Sequence, residues 1–310
     1  MHIAIVVPVF RESRNIPKLY AELESVTQRL SDLRWQYIFV NDGSPDDSLR
    51  VLAVLAQRDD RVKVLDLSRN FGKEIALTAG VHFAAAADVD AVICMDADLQ
   101  HPPALIPQLI AEWRAGAEVV ATIRTSIEKQ PWLRQVGSHL YYWLMSKLSG
   151  LEMRSQTTDY RLFDKKVVVA FCRATERERM FRGIMDWLGF RKVYVEFQAG
   201  PREEGVAGYS YAKLWRLAVG SITAFSLFPL RLTGYLGIFI TIASFSLLAW
   251  MSANYLLYGM YTPLGIVVVV NTLLIGVVLM AIGLVALYIG NIHTEVVNRP
   301  LYVVRERINC

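Results

Sequence analysis

Two carboxylates one residue apart, Asp96 and Asp98, are followed by Gln100, His101 and the pair Pro102-Pro103. Val92, Ile93, Cys94 and Met95 run straight into them. An apolar run of this length, closed by a polar turn, reads as a buried strand of a parallel sheet. In open α/β sheets ligands sit outside the carboxyl ends of the strands, so both aspartates emerge where a substrate would bind. Carboxylates this close repel each other unless a cation lies between them. Their hard oxygens, with Gln100 as a third donor, suit Mg²⁺ or Mn²⁺ sharing a site with phosphate oxygens.

The elements that must position this turn follow from the apolar pattern. Strands are predicted at Ile3–Val9, Tyr37–Val40, Val62–Leu67, Ala91–Met95 and Val119–Ile123. Helices are predicted between them, at about 16–30, 44–57, 76–87 and 103–114. Ser44 reads as the N-cap of the second helix, with Pro45 at its first position. Strands alternating with helices give an α/β fold with a parallel-rich, doubly wound sheet. No G-x-G-x-x-G follows the first strand, which disfavours a dehydrogenase-type dinucleotide site.

The second half has a different texture. The chain has 310 residues, of which 54% are hydrophobic and 20% charged. The hydrophobic excess is localised, since Leu232 to Gly290 holds no Asp, Glu, Lys, Arg or His. That run breaks once, at Gly259 to Pro263, and each side exceeds the ~20 apolar residues that cross a bilayer core. Two C-terminal transmembrane helices are therefore expected, at about 232–258 and 264–290. Lys213, Arg216, Arg231, Arg299, Arg305 and Arg307 flank the pair, and the loop between has no basic residue. By the positive-inside rule this predicts a multi-pass membrane protein with the α/β domain and both termini cytoplasmic. Gly276, Gly283 and Gly290 share one helix face, which suits either a homo-oligomer through these helices or simply the abundance of glycine in membrane helices. Segment 131–150 carries an apolar stripe with basic residues that suits either a buried core helix or a helix lying in a membrane interface, and 212–228 is again amphipathic. The net charge of +4 is too small to argue for nucleic acid. The three cysteines, Cys94, Cys172 and Cys310, are widely spaced and form neither a disulfide framework nor a zinc site.

Further motifs stand in a fixed order: Val7-Pro8-Val9-Phe10, Asn41-Asp42-Gly43-Ser44, Arg69-Asn70-Phe71-Gly72-Lys73-Glu74, Asp96-Ala97-Asp98-Leu99-Gln100, Asp159-Tyr160-Arg161-Leu162 and Phe181-Arg182-Gly183. Together they resemble the family 2 glycosyltransferases of the polyprenyl-phosphate branch, which includes dolichyl-phosphate mannose synthase and the bactoprenol glucosyltransferases. The resemblance implies a GT-A fold over 1–211, a nucleotide-sugar donor, Mg²⁺ or Mn²⁺, and a polyprenyl-phosphate acceptor at the lipid bilayer of a bacterial-type plasma membrane. On it, Pro8, Glu12, Asp42, Lys73 and Asp96 would line the donor site. Asp96, Asp98 and Gln100 would hold the metal. Asp98 and Asp159 would serve catalysis, and Arg124, Arg134, Arg202 and Ser210 would meet the acceptor phosphate. Residues 292–310 would form a tail. The chain departs from the family pattern at Arg11, at Ser126-Ile127-Glu128 and in the loop 205–211.

The reaction these expectations describe is direct displacement by a lipid phosphate oxygen, with inversion at the sugar's anomeric carbon and UDP-glucose as the first candidate donor. A phosphate monoester with a second pKa of ~6 is largely dianionic near neutrality and needs little help from a base. A processive polysaccharide synthase would need a Q-x-x-R-W segment and more spans, and neither is present. A non-catalytic scaffold would leave Asp42, Asp96, Asp98 and Asp159 without purpose.

Overall fold

The computed structural model describes residues 1–125, 157–177, 179–198 and 263–310, with scattered positions between 235 and 257. It divides into two units, one of Met1–Gly208 with Arg299–Cys310, the other of Tyr209–Asn298.

The first unit is a sheet with helices packed against it. In chain order its elements are β1 (His2–Val9), α1 (Asn15–Thr27), β2 (Arg34–Asn41), α2 (Ser48–Arg58), β3 (Val62–Leu67), α3 (Lys73–Ala86) and β4 (Ala91–Cys94). A short 3₁₀ turn (Pro103–Leu105), α4 (Ile106–Arg114) and β5 (Val119–Arg124) follow. Then come β6 (Thr157–Asp164), α5 (Lys165–Cys172), α6 (Phe181–Trp187), β7 (Lys192–Phe197) and, at the end of the chain, β8 (Val304–Ile308). The strand order is β7-β5-β6-β4-β1-β2-β3-β8.

β1 to β4 are mutually parallel. They are apolar throughout because helices cover both faces; Ile3 to Val7, Tyr37 to Val40 and Ala91 to Met95 are all buried. The sheet as a whole is mixed, because β6 runs antiparallel to both β4 and β5, and β8 antiparallel to β3. Among the described strands only β6 and β8 are reversed, because β5 pairs parallel with β7, so the sheet is parallel-rich as expected with two antiparallel members. Within 292–310, expected to be a tail, Val304–Ile308 instead forms β8 and closes the sheet edge.

One register detail opens the site. β4 pairs with β1 only from Ile3 to Val6, whereas β1 continues beside β2 to Val9. Pro8 therefore lies where β1 has lost its β4 neighbour, a place where a missing amide hydrogen costs no ladder bond. This is also where the strand order reverses, so the crevice between the ends of β1 and β4 is a topological switch point.

α2 begins later than expected. Ser44 does not cap it: the helix starts at Ser48 with Asp47 at the N-cap position. The Ser44 hydroxyl instead accepts from the Arg11 amide at 3.2 Å. Asp46 takes over the local work, accepting from the Ser48 hydroxyl at 2.7 Å. The preference of short polar side chains for local backbone groups delays the helix.

The second unit contains α7 (Pro263–Val297). Ile275, Val278, Ile282, Val285 and Ile289 are exposed on it. Among the described residues no helix is long and apolar enough to cross a membrane. This corrects the expectation of two C-terminal transmembrane helices, and with it the multi-pass plasma-membrane location with cytoplasmic termini. α7 is not the bounded apolar segment expected at 264–290, since it runs on through Asn291, His293 and Glu295. The other expected span, 232–258, lies mostly outside the described residues, as do the segments 131–150 and 212–228.

α3 lies close against the sheet at Gly80, where an added Cβ would sit 2.3 Å from Val6 Cγ1 and 3.1 Å from Val40 Cγ2. Both valines are fully buried, so neither can turn aside. Gly80→Ala is expected to lower stability by about 1–3 kcal/mol through overpacking, although the same change on an open helix face gains ~1 kcal/mol. The urea midpoint of the variant checks this, and an unchanged or raised midpoint is the contrary result.

Candidate active site

Among the described residues, the loops that carry Asp42, Lys73, Asp96, Asp98 and Asp159 lie at one end of the sheet. The parallel strands β1, β2, β3, β4 and β5 bring their carboxyl ends there, and the antiparallel β6 brings its beginning. Asp159, near the start of β6, therefore meets Asp96, just past the end of β4.

The link between them is Lys73, the first residue of α3. Its ammonium lies 2.7 Å from Asp96 Oδ1 and 2.9 Å from Asp96 Oδ2. The same nitrogen donates to Asp159 Oδ2 at 2.6 Å. Arg182 Nε approaches the other Asp159 oxygen at 3.1 Å. Burial by itself would raise the Asp159 pKa, but the charges of Lys73 and Arg182 and the Lys73 hydrogen bond outweigh it and hold the carboxyl well below the usual range. Burial pulls the Lys73 ammonium the other way, and Asp96 and Asp159 overcome it, so Lys73 stays charged.

Lys73 reaches this position because its loop is held from below. Asp42, buried at the end of β2, accepts from the amides of Phe71 at 2.7 Å and Gly72 at 2.9 Å. Gly72 sits at φ +99°, a conformation that favours glycine. Gly43 is held to glycine by contact, since a Cβ there would lie 2.5 Å from the Arg69 carbonyl carbon. Next to Lys73, Glu74 accepts from the Phe181 amide at 2.6 Å and so ties α3 to α6. Burial and the Asp159 charge raise the Glu74 pKa.

The aspartate turn has its own supports. Asp98 Oδ1 accepts from the Gln100 amide at 3.1 Å, with Leu99 between them in the left-handed region at φ +61°. His101 is buried and its Nδ1 accepts from the Asp96 amide at 3.0 Å. Burial lowers the His101 pKa, in keeping with a neutral ring. That ring stacks on Tyr160 at 5.2 Å, and the Tyr160 hydroxyl donates to the Pro102 carbonyl at 3.0 Å. Arg124, the last residue of β5, donates from Nη2 to Gln100 Oε1 at 3.1 Å. Its Nε is buried and has no hydrogen-bond partner among the described residues.

Of the residues expected in the site, Lys73, Asp96, Asp98, Gln100, Arg124 and Asp159 converge. Asp42 stands beneath them, with both oxygens committed to the loop. Glu12 accepts from Asn15 Nδ2 at 2.6 Å and shapes the start of α1. It lines a cavity of about 390 Å³ with Phe10, Arg11, Ser13 and Asp46, beside Pro8 at the switch point. A larger cavity of about 550 Å³, near Asp90 and Asp164, lies at the opposite end of β4. Arg134, Arg202 and Ser210 lie outside the described residues. The sequence reading assigned no role to Glu74, His101 or Arg182. Glu74 and Arg182 stand inside the quoted motifs and His101 directly after one, and position within those strings was the only signal for them.

Among the described residues no three His, Cys, Asp or Glu side chains are grouped to hold a metal. Mg²⁺ commonly uses one or two carboxylates and takes its other oxygens from phosphate and water. The carboxylates of Asp96 and Asp98 fit that donor set, while Gln100 Oε1 is engaged by Arg124.

Residues 4–178 match the family model "Glycosyl transferase family 2". The chain belongs to that family. This glycosyltransferase is 37% identical over 307 residues to a prophage-derived bactoprenol glucosyl transferase of Shigella flexneri, covering 99% of this chain and 98% of that one. It is 36% identical to an uncharacterized glycosyltransferase of Synechocystis, over 99% of this chain and 95% of the relative. Among solved structures it is similar to mannosyl-3-phosphoglycerate synthase from Rubrobacter xylanophilus, with a TM-score of 0.48, 15% identity, and coverage of 76% of this chain and 75% of that one. The mixed sheet is GT-A-like, and the enzyme is a glycosyltransferase.

The lowered pKa of Asp159 fixes a sign for its effect on stability. A carboxyl held below its unfolded value stabilises the fold above about pH 3.9, and that contribution is lost as pH falls through the depressed folded value. Urea midpoints of the wild type and Asp159→Asn are expected to differ most near neutrality and to converge as pH falls below about 4. Buried His101, kept neutral by burial, also costs stability as pH falls, and taking the difference removes the part of that loss the two proteins share. A gap that stays constant with pH is the contrary result.

Proposed function

We propose that this glycosyltransferase moves a sugar from a nucleotide-sugar donor, with UDP-glucose the first candidate, to a polyprenyl phosphate such as undecaprenyl phosphate, with inversion at the anomeric carbon. The observation that carries this reading is the likeness, over nearly the whole chain, to a protein named as a bactoprenol glucosyl transferase.

Bond making and breaking are simple on this reading. An oxygen of the acceptor phosphate forms the new bond to the anomeric carbon as the bond to the donor diphosphate breaks. Positioning and charge stabilisation supply most of the acceleration. Bound Mg²⁺ or Mn²⁺ would supply Lewis-acid stabilisation of the departing diphosphate. Asp96 and Asp98 would hold it. Arg124 Nε, without a hydrogen-bond partner among the described residues, favours a phosphate ligand, for which a guanidinium fork is well shaped. The cavity at Phe10 to Ser13, beside the switch point, suits the nucleoside. Arg134, Arg202 and Ser210 remain candidates for the acceptor phosphate on the family resemblance.

Asp159 fits an anchoring role better than that of a base. A general base works best with a pKa near the operating pH, and this carboxyl is held far lower by Lys73 and Arg182. The acceptor phosphate, already dianionic, has little need of one.

The test is release of nucleoside diphosphate on mixing a panel of nucleotide sugars with a short polyprenyl phosphate and Mn²⁺ or Mg²⁺. Release should require both lipid phosphate and metal. Asp98→Asn keeps the shape and removes a charge, and should lower turnover by about 10²-fold or more at limiting metal; unchanged turnover would remove the aspartate turn from the metal site. Arg124→Ala should raise the KM for lipid phosphate much more than that for nucleotide sugar. Calorimetry with metal present should find nucleotide binding nearly intact. Loss of nucleotide binding in a folded Arg124→Ala protein would assign Arg124 to the donor diphosphate instead.

A further inference from the structure

Asp96 and Asp159 arrive from different strands, and each brings a negative charge to the same point. Asp159 has two cations, Lys73 on one oxygen and Arg182 beside the other. Asp96 is served differently. His101 lies 3.7 Å from Asp96 Oδ2. Its Nδ1 is an acceptor of the Asp96 amide, so it brings no proton to that carboxylate. Among the described residues the charge that offsets Asp96 is the Lys73 ammonium, held between both carboxylate oxygens at 2.7 and 2.9 Å. A divalent cation would approach those same two oxygens. An ammonium and a metal ion cannot both sit there, because like charges at that separation repel strongly.

We propose that Lys73 is an exchangeable resident cation: it neutralises Asp96 until a divalent ion takes its place, and it then remains on Asp159 alone. Three features make the exchange possible. Lys73 already has its second partner, so leaving Asp96 does not strand the ammonium. Its side chain is 38% exposed, so packing does not enclose it on every side. The loop beneath it is tied to Asp42 through backbone amides, so the side chain can move while its helix stays in place. Before the donor arrives, the lysine prevents Asp96 and Asp159 from repelling each other. Lys73 thereby sets how much divalent ion the empty enzyme takes up.

The proposal rests on the reading that the metal binds at the aspartate turn. Mn²⁺ affinity of the intact protein without nucleotide is measured by calorimetry and by the paramagnetic resonance of free Mn²⁺. Lys73→Gln and the apolar near-isostere Lys73→Met should each bind Mn²⁺ roughly tenfold more tightly than the wild type, the scale on which one neighbouring charge shifts a site. Lys73→Arg, which keeps the charge, should not. Without metal, Lys73→Gln should melt at a lower temperature than the wild type, and Mn²⁺ should restore most of the difference. Equal or weaker Mn²⁺ binding by both neutral variants overturns the exchange. So does failure of both variants to fold with and without Mn²⁺, which would make the lysine part of the fold itself. Adding Asp98→Asn separates the two claims. If Mn²⁺ binding survives Asp98→Asn in every background, the metal lies elsewhere and the reading beneath the proposal fails. If Asp98→Asn abolishes binding while Lys73→Gln leaves it unchanged, only the role of Lys73 falls.

Discussion

One ammonium between two carboxylates organises this site. Asp96 leaves the end of β4 and Asp159 sits near the beginning of β6, and neither can be buried as a bare charge. Lys73 answers both from the first residue of α3, at 2.7 and 2.6 Å. Its placement depends on contacts well away from the charges. Asp42 fixes the amides of Phe71 and Gly72, Gly72 supplies the turn into the helix, and Gly80 lets the helix press against β1. Each of these is a matter of ångströms, and an ion pair is sensitive to them.

The antiparallel strand β6 makes the meeting possible. In a wholly parallel sheet its carboxyl end would lie at the site and its beginning at the far edge, carrying Asp159 with it. Reversal puts Thr158 and Asp159 beside the aspartate turn. The reversed strand is pinned by Arg161, buried at 1% exposure, whose Nη1 meets Asp186 at 3.0 Å and whose Nε donates to the Thr158 carbonyl at 2.9 Å. Lys192 also meets Asp186. A buried pair of this kind is weak evidence for stability, because desolvation offsets much of the attraction. Its geometry ties β6 to α6 and β7, and through Glu74 and the Phe181 amide the same helix is tied to α3.

The same economy holds on the other side of the crevice. β1 outlasts β4 by three residues of pairing, from Val7 to Val9. The gap accommodates Pro8 in a central strand and leaves a cavity bounded by Phe10 to Ser13 and Asp46. Arg124 leans over the aspartate turn from β5, held by Gln100. A substrate that reached across this crevice would meet carboxylates on one side and a guanidinium on the other.

Much of this was legible in the chain. The apolar runs ending at Val9, Val40, Leu67 and Met95 marked the four parallel strands, because a strand buried on both faces has almost no polar positions. The motif order marked the glycosyltransferase family and gathered Lys73, Asp96, Asp98, Arg124 and Asp159 into one site. Other things were not legible. Nothing local distinguishes β6 from a parallel strand, since direction is decided by what the chain does between strands. The long charge-free run 232–290 read as two membrane crossings, because an apolar pattern reports length and polarity and not how a helix ends. α7 continues through His293 and Glu295, and the chain then returns Tyr302 to Ile308 to the sheet edge, where Arg305 donates to the Ser68 carbonyl at 2.6 Å. Asp42 shows the division most plainly. The family resemblance marked it for the donor site, and only the fold showed that both of its oxygens are committed to the loop beneath Lys73. Sequence alone determined which residue types stand at the ends of which strands, because burial writes a periodic pattern. The tertiary structure decided which charges face each other, because an ion pair is set by distances between segments far apart in the chain.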